Sequence, residues 1–129
     1  MPPERFPPDD PREWMNRARS NLALARNRTP DVYLEDLCFE AQQAAEKAIK
    51  ALMIARSIEF PYVHDLVRLL SLLAGAGCTV PERVWRAKEL TRYAMTTRYP
   101  DFGHPVAAHE YTDAIEIAEG VVRWAEENL

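Results

Sequence analysis

Two side chains that could act on a phosphate ester, Arg98 and His104, lie in the C-terminal third of the chain. A histidine titrates near neutral pH, so His104 could serve as a general base. The donor fork of Arg98 could stabilise negative charge on phosphoryl oxygens. An arginine and a histidine at this separation also occur often by chance. Arg98 could instead form an ion pair with an acid such as Asp101 or Glu110.

Other side chains in the same region suit a nucleotide. Tyr99 could stack on a base, Asp101 could orient His104 or Arg98, and Tyr111 could donate a hydrogen bond from one turn into the last helix. A second imidazole, His109, is a reserve candidate for the base. The region therefore offers both a candidate catalytic pair and candidate binding residues.

Charge restricts the kind of partner. The formal net charge of −4 argues against a general polyanion-binding surface. Between residues 82 and 98, however, five basic residues stand against two acidic ones: Arg83, Arg86, Lys88, Arg92 and Arg98. This basic strip, with Arg92 as a candidate contact, is where a phosphate backbone would lie. The alternative is a solvated face with short-range ion pairs.

The elements that must position these residues are helices. The chain of 129 residues contains 4 glycines and 10 prolines, which favours a few long helices with prolines at their edges over a sandwich or barrel. No stretch shows the alternation of a strand. We predict an irregular arm over residues 1–9 and one helical domain over residues 10–129.

Capping residues predict the first two helices. Asp10 is a candidate N-cap, Pro11 suits the first helical position, and Glu13 would complete a capping box. A second cap at Asp31 precedes a continuous apolar stripe that runs to about Ser57 and predicts a helix of about 25 residues. Small residues along this stripe would let a neighbouring helix approach closely.

Three further helices follow. A short leucine-rich helix begins after Asp65 and ends at Gly75 and Gly77. The run Thr79–Glu82 predicts the start of the next helix, and the last helix begins at about Val106. The expected fold is all-α, an up-and-down four-helix bundle with an additional short helix.

Two features of these helices bear on binding and assembly. On the second helix, Lys47 and Lys50 belong to a polar flank with Gln42, Gln43 and Glu46, in which Glu46 and Lys50 have the favourable i,i+4 spacing. In a dimer this flank could line a cleft facing Arg98. On the last helix, Ile117 and Trp124 widen the apolar face, which indicates either a homodimer surface or an edge of the core.

The cysteines and the apolar runs predict the cellular environment. Cys38 and Cys78 have neither metal-ligand spacing nor a disulfide pattern, which suggests a reducing compartment. No apolar run approaches the length of a membrane span, and the N-terminus lacks the layout of a signal peptide. We expect a cytoplasmic protein without a membrane, metal or cofactor requirement. His64, beside the capping residue Asp65, is interpreted as a packing or hydrogen-bonding residue.

Three sequence runs, in this order and spacing, resemble the HEPN domain family: QAAEKAIKA at residues 43–51, His64-Asp65-Leu66, and Arg98-Tyr99-Pro100. The last run is similar to an Arg-Tyr-Pro variant of the family. The resemblance implies a helical bundle that dimerises and is often encoded beside a small nucleotidyltransferase. Many members act as toxins or defence nucleases that cut RNA without a metal. In those members a histidine follows an arginine after roughly four to six residues, a spacing that Arg98 and His104 match.

Two functions follow from the resemblance. The first is a homodimer that binds RNA or a nucleotide at Arg98 and His104 and acts as an endoribonuclease toxin paired with a nucleotidyltransferase. The alternative is a non-catalytic nucleotide-binding or regulatory subunit of a nucleotidyltransferase. A third function, a structural helical oligomer, would gain support if Arg98 were buried in an intramolecular ion pair.

Overall fold

The computed structural model describes residues 2–95 and 105–129, and these residues form helices without any strand. The all-α fold predicted from the sequence is confirmed. In chain order the helices are α1 (Pro11–Arg26), α2 (Leu34–Ala55), α3 (Leu66–Gly75), α4 (Glu82–Trp85), a 3-10 helix (Arg86–Ala94) and α5 (Ala108–Asn128). None of the described helices is long and apolar enough to cross a membrane.

Helix α2 occupies the centre of the fold. It packs against α1, α3, α5 and the 3-10 helix. The small side chains of Ala41, Ala44, Ala45 and Ala48 are fully buried, which allows the neighbouring helix backbones to approach closely. Because α2 has neighbours on most sides, its polar residues as well as its apolar stripe enter the interior.

Helix α1 begins as predicted, but Glu13 has a different role. The Asp10 side chain accepts a hydrogen bond from the Arg12 amide at 2.9 Å, which makes Asp10 the N-cap. Glu13 does not complete a capping box. Its carboxylate instead accepts from the Phe6 amide at 2.9 Å and from Arg5 Nε at 3.1 Å. Glu13 therefore holds the irregular N-terminal arm against α1, a contact that local capping rules do not include.

The predicted N-cap of α2 at Asp31 is wrong. The helix begins at Leu34 after Tyr33, whose side chain makes no capping hydrogen bond, and it has 22 residues. A turn closed by the Val32 amide and the Thr29 carbonyl, 3.3 Å apart, places Asp31 before the helix begins. The first turn of α2 instead contains acidic residues, which favour a helix N-terminus electrostatically.

Helices α2 and α3 end in the same C-terminal motif. At the end of α2 the Ile58 amide donates to the Met53 carbonyl at 2.9 Å, and Ser57 adopts a positive φ of 56°. At the end of α3 the corresponding position is Gly77, with φ of 96°. Both are Schellman motifs, in which glycine is the usual residue at the left-handed position. The predicted end of α3 near the two glycines is confirmed.

The helix predicted after Thr79 is mostly a 3-10 helix. Only Glu82–Trp85 is α-helical, and the N-cap, Pro81, makes no side-chain hydrogen bond. Four buried residues of this segment recur every third position, which matches the three residues per turn of a 3-10 helix. They are Val84, Ala87, Leu90 and Tyr93, and Ala94 is buried beside the last of them.

The wide apolar face of α5 lies inside the domain. Ile117 and Trp124 are each only 3 % exposed and belong to the core cluster. The interpretation of these two residues as an edge of the core is the one that the structure supports. They do not provide a second contact surface, because the other helices of the same chain already cover them.

Candidate functional site

Four of the predicted site residues lie outside the described residues. Arg98, Tyr99, Asp101 and His104 belong to segment 96–104, so their catalytic and binding roles stay predictions. The chain on either side of this segment is described in detail. We call residues 92–95, at the end of the 3-10 helix, the N-terminal flank and residues 105–107, just before α5, the C-terminal flank.

The N-terminal flank is the end of the 3-10 helix, and Arg92 connects it to α5. The Arg92 guanidinium donates to the Tyr93 hydroxyl and to Glu110 Oε2, both at 2.9 Å. The Tyr93 hydroxyl also contacts the buried thiol of Cys38 on α2. Burial raises the pKa of Cys38 to about 12, although the contact with Tyr93 acts in the opposite direction. This flank is therefore attached to two helices.

The C-terminal flank is attached to the same two helices. The Val106 amide donates to Glu35 Oε1 on the first turn of α2 at 2.6 Å. The Ala107 amide donates to Glu110 Oε1 on the first turn of α5 at 2.9 Å. Sequence reasoning considered Glu110 only as a partner for Arg98 and did not identify Glu35. The available signal for Glu110 was an acidic side chain at the third position of a helix, where it can accept from the capping amide.

A cavity of about 300 Å³ lies between the 3-10 helix and α5. Its walls combine apolar side chains with three carboxylates and the Arg92 guanidinium. The lining residues are Glu89, Leu90, Arg92, Tyr93, Glu110, Asp113, Ala114 and Ile117. The carboxylates make this surface unsuitable for a long run of phosphates.

A buried polar network runs along α2. Glu46 accepts hydrogen bonds from Gln42 Nε2 and Lys50 Nζ and contacts His64 Nδ1, each at 2.9 Å. The predicted i,i+4 pair of Glu46 and Lys50 and the hydrogen-bonding role of His64 are therefore confirmed. Burial alone would raise the pKa of Glu46, but the hydrogen bonds from Lys50, Gln42 and His64 outweigh it, so this pKa lies below its usual range.

The predicted polar flank of α2 is largely internal. Gln42, Glu46 and Lys50 are 0 %, 4 % and 6 % exposed, and the Lys50 ammonium lies 5.2 Å from the centre of the Phe60 ring. The flank prediction is wrong for these three residues, because the elements packed around α2 cover this face. Lys47 remains half-buried.

Lys47 also has an intramolecular partner. Its ammonium donates to Asn21 Oδ1 at 2.8 Å, and Asn21 donates in turn to Glu40 at 2.6 Å. Burial lowers the pKa of Lys47, and the positive charge of Arg17 acts in the same direction. Lys47 therefore links α2 to α1 in this structure.

Tyr111 connects the start of α5 to the end of α1. Its buried hydroxyl donates to the Ala25 carbonyl at 2.6 Å, and the Arg28 guanidinium lies 5.7 Å from the ring centre. Burial raises the pKa of the Tyr111 hydroxyl. The predicted hydrogen bond from Tyr111 is thus directed to the protein backbone. His109, the reserve imidazole, is exposed.

The chain matches the model of a known family over almost its whole length. The model of the HEPN domain matches residues 11–128. The chain is a member of the HEPN domain family. The crystal structure of TT1696 from Thermus thermophilus is similar, with 36 % identity and a TM-score of 0.79, covering 92 % of this chain and 98 % of that one.

A second solved structure supports the same family. The archaeal HEPN homologue ST0689 is 26 % identical with a TM-score of 0.72, and the similarity covers 92 % of this chain and 96 % of that one. No curated protein matches the chain. Resemblance to the HEPN family, inferred above from three short runs, is therefore confirmed over nearly the whole chain.

The HEPN fold separates the predicted binding residues into two groups. Arg92 lies in the N-terminal flank and Tyr111 lies near the start of α5, whereas Lys47 and Lys50 lie further along α2. From Cys38, which contacts the N-terminal flank, Lys50 is about 18 Å away along the helix axis at 1.5 Å per residue. Within residues 2–95 and 105–129, no group of three His, Cys, Asp or Glu side chains could hold a metal ion.

Proposed function

We propose that this HEPN protein is a homodimeric, metal-independent endoribonuclease whose segment 98–104 binds RNA. Arg98 and His104 are the proposed catalytic pair, and Tyr99 and Asp101 are proposed to contact the base and to orient the pair. A nucleotidyltransferase is the proposed partner that controls the activity. The family, with its implied pairing of an arginine and a histidine, supports this assignment.

The proposed reaction uses the ribose 2′-hydroxyl. His104 accepts the proton of this hydroxyl, and the 2′-oxygen attacks the adjacent phosphorus. The bond from phosphorus to the 5′-oxygen breaks, and the leaving oxygen takes a proton from water. The hydroxide formed in this way takes the proton that His104 holds, which restores the neutral imidazole. The products are a 2′,3′-cyclic phosphate and a 5′-hydroxyl. Arg98 stabilises the negative charge that grows on the phosphoryl oxygens during the attack.

The observation that carries the proposal is the attachment of both flanks of segment 96–104 to α2 and α5. Glu35 and Glu110 hold the C-terminal flank, and the Arg92 pair with Glu110 holds the N-terminal flank. A catalytic pair needs such fixed surroundings, because its groups must keep their relative positions during the reaction. The acidic lining of the adjacent cavity favours a short phosphate contact over an extended one.

The test compares RNA cleavage by the wild type, Arg98→Ala and His104→Ala in the presence of a chelator. We expect each substitution to lower the rate by about 10²-fold or more. Arg123→Ala is the matched control, since Arg123 is an exposed arginine on α5, and it should cleave like the wild type. Equal cleavage by all variants, or cleavage by none, would contradict the catalytic proposal. Light scattering on the purified protein tests the dimer.

A second function is favoured by the hydrogen bonds that the positively charged binding candidates make to other side chains of the same chain. Lys47, Lys50 and Arg92 all donate to side chains of the same chain, which is compatible with a non-catalytic nucleotide-binding subunit of a nucleotidyltransferase. Calorimetry with nucleoside triphosphates, with and without that partner, separates the two functions. Binding without RNA cleavage supports the subunit, whereas cleavage that depends on Arg98 supports the nuclease.

A further inference from the structure

One face of the central helix α2 is only partly covered by its own chain. The structure describes every residue from 37 to 53, and all but four of these are buried: Phe39, Glu40, Gln43 and Lys47. Glu40, Gln43 and Lys47 recur at intervals of three and four residues, so they lie on one face of the helix. We call these three residues the α2 stripe.

The two charges of the α2 stripe are held by an amide rather than by an opposite charge. Glu40 Oε2 accepts from Asn21 Nδ2 at 2.6 Å, and Lys47 Nζ donates to Asn21 Oδ1 at 2.8 Å. Glu40 and Lys47 are about 10 Å apart along the helix axis, which is too far for direct contact. Among residues 2–95 and 105–129, neither of them forms an ion pair.

Helix α1 forms one side of this surface. It packs against α2 after a short connection, so the two helices run antiparallel. One turn from Asn21 on the same face of α1, Arg17 lies towards Lys47 and Leu24 lies towards Glu40. Burial lowers the pKa of Lys47 and the charge of Arg17 lowers it further, which agrees with this placement. Arg17 is exposed, and Leu24 is 52 % exposed.

We infer that two copies of this chain pair through the α2 stripe, with their α2 helices antiparallel and a twofold axis at Gln43. The twofold axis places Glu40 of each copy opposite Lys47 of the other, because the same patch meets itself in reverse order. The order of acid, amide and base along the stripe is therefore complementary to itself. The inference names the interface of the homodimer in the proposed function and rests on that homodimer, but it does not depend on RNA cleavage.

Gln43 suits a position on the twofold axis. Its Nε2 donates to Gln42 Oε1 at 2.7 Å, which uses one of its two N–H groups and fixes the orientation of the amide. A glutamine amide has a second N–H and a carbonyl oxygen. At the axis, these two groups of each Gln43 bond to the same groups of the other copy. A neutral residue at this point also keeps like charges away from the axis.

The charge pattern favours a second copy over a nucleic acid. An occupant that covers the α2 stripe must bring a base to Glu40 and an acid to Lys47, because a charge removed from water without a counter-charge is costly. RNA supplies only acids, and Asp36, exposed one turn before Glu40, would repel its phosphates as well. The stripe itself supplies both charges at the required spacing. Leu24 adds apolar area beside them.

The test reverses one charge at a time and measures the dimer Kd by sedimentation velocity. In Glu40→Lys or Lys47→Glu alone, like charges meet twice across the interface, so the Kd should rise at least about 10-fold. An equimolar mixture of these two variants brings opposite charges together at both positions, and it should dimerise again. The double variant Glu40→Lys/Lys47→Glu should also recover the homodimer. Glu116→Lys, which reverses an exposed acid on α5, is the matched control and should leave the Kd unchanged.

Neutral variants keep the test decisive if a reversal impairs folding. Glu40→Gln can still accept from Asn21, and Lys47→Gln is close in size to lysine. Each should raise the Kd by a smaller factor than the reversal, with the melting temperature nearly unchanged. A wild type that is monomeric at about 100 μM, or variants that all dimerise like the wild type, would overturn the inference. So would a mixture of the two reversals that stays monomeric.

RNA assays on the same proteins separate this inference from the proposed function. If the wild type does not cleave RNA while the reversals dissociate the dimer and their mixture restores it, the nuclease fails and the interface stands. If the wild type is a dimer that cleaves RNA and the reversals leave its Kd unchanged, the interface fails and the nuclease stands. Weaker RNA binding by Lys47→Glu with an unchanged dimer Kd would assign the α2 stripe to RNA instead.

Discussion

Lys50 and Glu46 form a buried ion pair on adjacent turns of α2, with Lys50 Nζ 2.9 Å from Glu46 Oε2. Both side chains are almost completely removed from solvent. A charge in such a position is stable only while its partner is present, because water cannot replace the lost interaction. Gln42 and His64 complete the environment of the Glu46 carboxylate.

Removing one member of this pair should therefore be costly. We predict that Lys50→Met lowers the free energy of unfolding by about 3–5 kcal/mol, because it leaves the Glu46 charge buried without its cation. Lys47→Met is the control, and its effect should be smaller because Lys47 is only half-buried. The double variant Glu46→Leu/Lys50→Met should be more stable than Lys50→Met alone. Chemical denaturation measures all three, and a loss below about 1 kcal/mol in Lys50→Met would contradict the prediction.

The stability of the fold should depend on pH through Glu46. Burial acts to raise its pKa, but the hydrogen bonds led by that from Lys50 together hold it below the ordinary value of 4.5. A carboxyl whose pKa is lowered by folding stabilises the native state above the unfolded pKa, and this stabilisation is lost as the pH falls through the folded value. Below about pH 4.5 the unfolding free energy of the wild type should thus fall more steeply than that of Glu46→Gln. Parallel plots of unfolding free energy against pH for the two proteins would show that Glu46 does not contribute to the pH dependence of stability.

The left-handed residue at the end of α2 offers a stabilising substitution. Ser57 has φ of 56°, which costs a residue with a Cβ about 1 kcal/mol relative to glycine. We predict that Ser57→Gly raises the free energy of unfolding by up to about 1 kcal/mol. Ser71→Gly, an exposed serine within α3, should instead lower it by about 0.5–1 kcal/mol. Thermal unfolding compares the two, and changes of equal sign would be inconsistent with this explanation.

The thiol of Cys38 should resist alkylation in the native protein. Burial raises its pKa to about 12, so almost no thiolate is present at pH 8, and the side chain is fully covered. Iodoacetamide followed by peptide mass spectrometry should find Cys38 unmodified until denaturant is added. Rapid modification of Cys38 without denaturant would show that the contact between α2 and the 3-10 helix opens readily.

Tyr111 should contribute to stability through its hydroxyl. Tyr111→Phe removes the hydrogen bond to the Ala25 carbonyl and should lower the free energy of unfolding by about 1 kcal/mol. Tyr33→Phe is the control, since Tyr33 is 77 % exposed and should be neutral. Urea denaturation measures both. Equal effects of the two substitutions would indicate that the hydrogen bond from Tyr111 to the Ala25 carbonyl makes no net contribution to the free energy of unfolding.

Local sequence rules correctly predicted the helix ends and side-chain pairs that involve residues within about four positions of each other. The Asp10 cap, the glycine at the end of α3 and the spacing of Glu46 and Lys50 all follow from residue types and their order along the chain. So does the Asp65 cap of α3, whose side chain accepts from the Val67 amide at 3.1 Å. The same rules failed at Asp31 and Glu13. Asp31 and Glu13 both have side chains that can cap a helix. A turn places Asp31 before α2 begins, and the N-terminal arm supplies the hydrogen-bond partners of Glu13.

The 3-10 helix was predicted in part, since a helix was expected here but not its type. The three-residue spacing from Val84 to Tyr93 was present in the sequence, but most helical patterns of that length belong to α-helices. This segment packs against α2 and α5. That packing selects the three-residue period of a 3-10 helix over the 3.6-residue period of an α-helix, because the shorter period places the apolar residues inside. The family, in contrast, was recognisable from three runs that together cover a small part of the chain.

The sequence by itself thus determined the fold class, most helix ends, the HEPN family and the residue types of the candidate site. Only the tertiary structure decided that Glu46 and Lys50 are internal and that Glu35 and Glu110 hold the flanks of segment 96–104. The bond from Glu35 to Val106 joins residues 71 positions apart. Capping and periodicity act between neighbours in the chain, whereas burial and such distant contacts depend on which helices pack together.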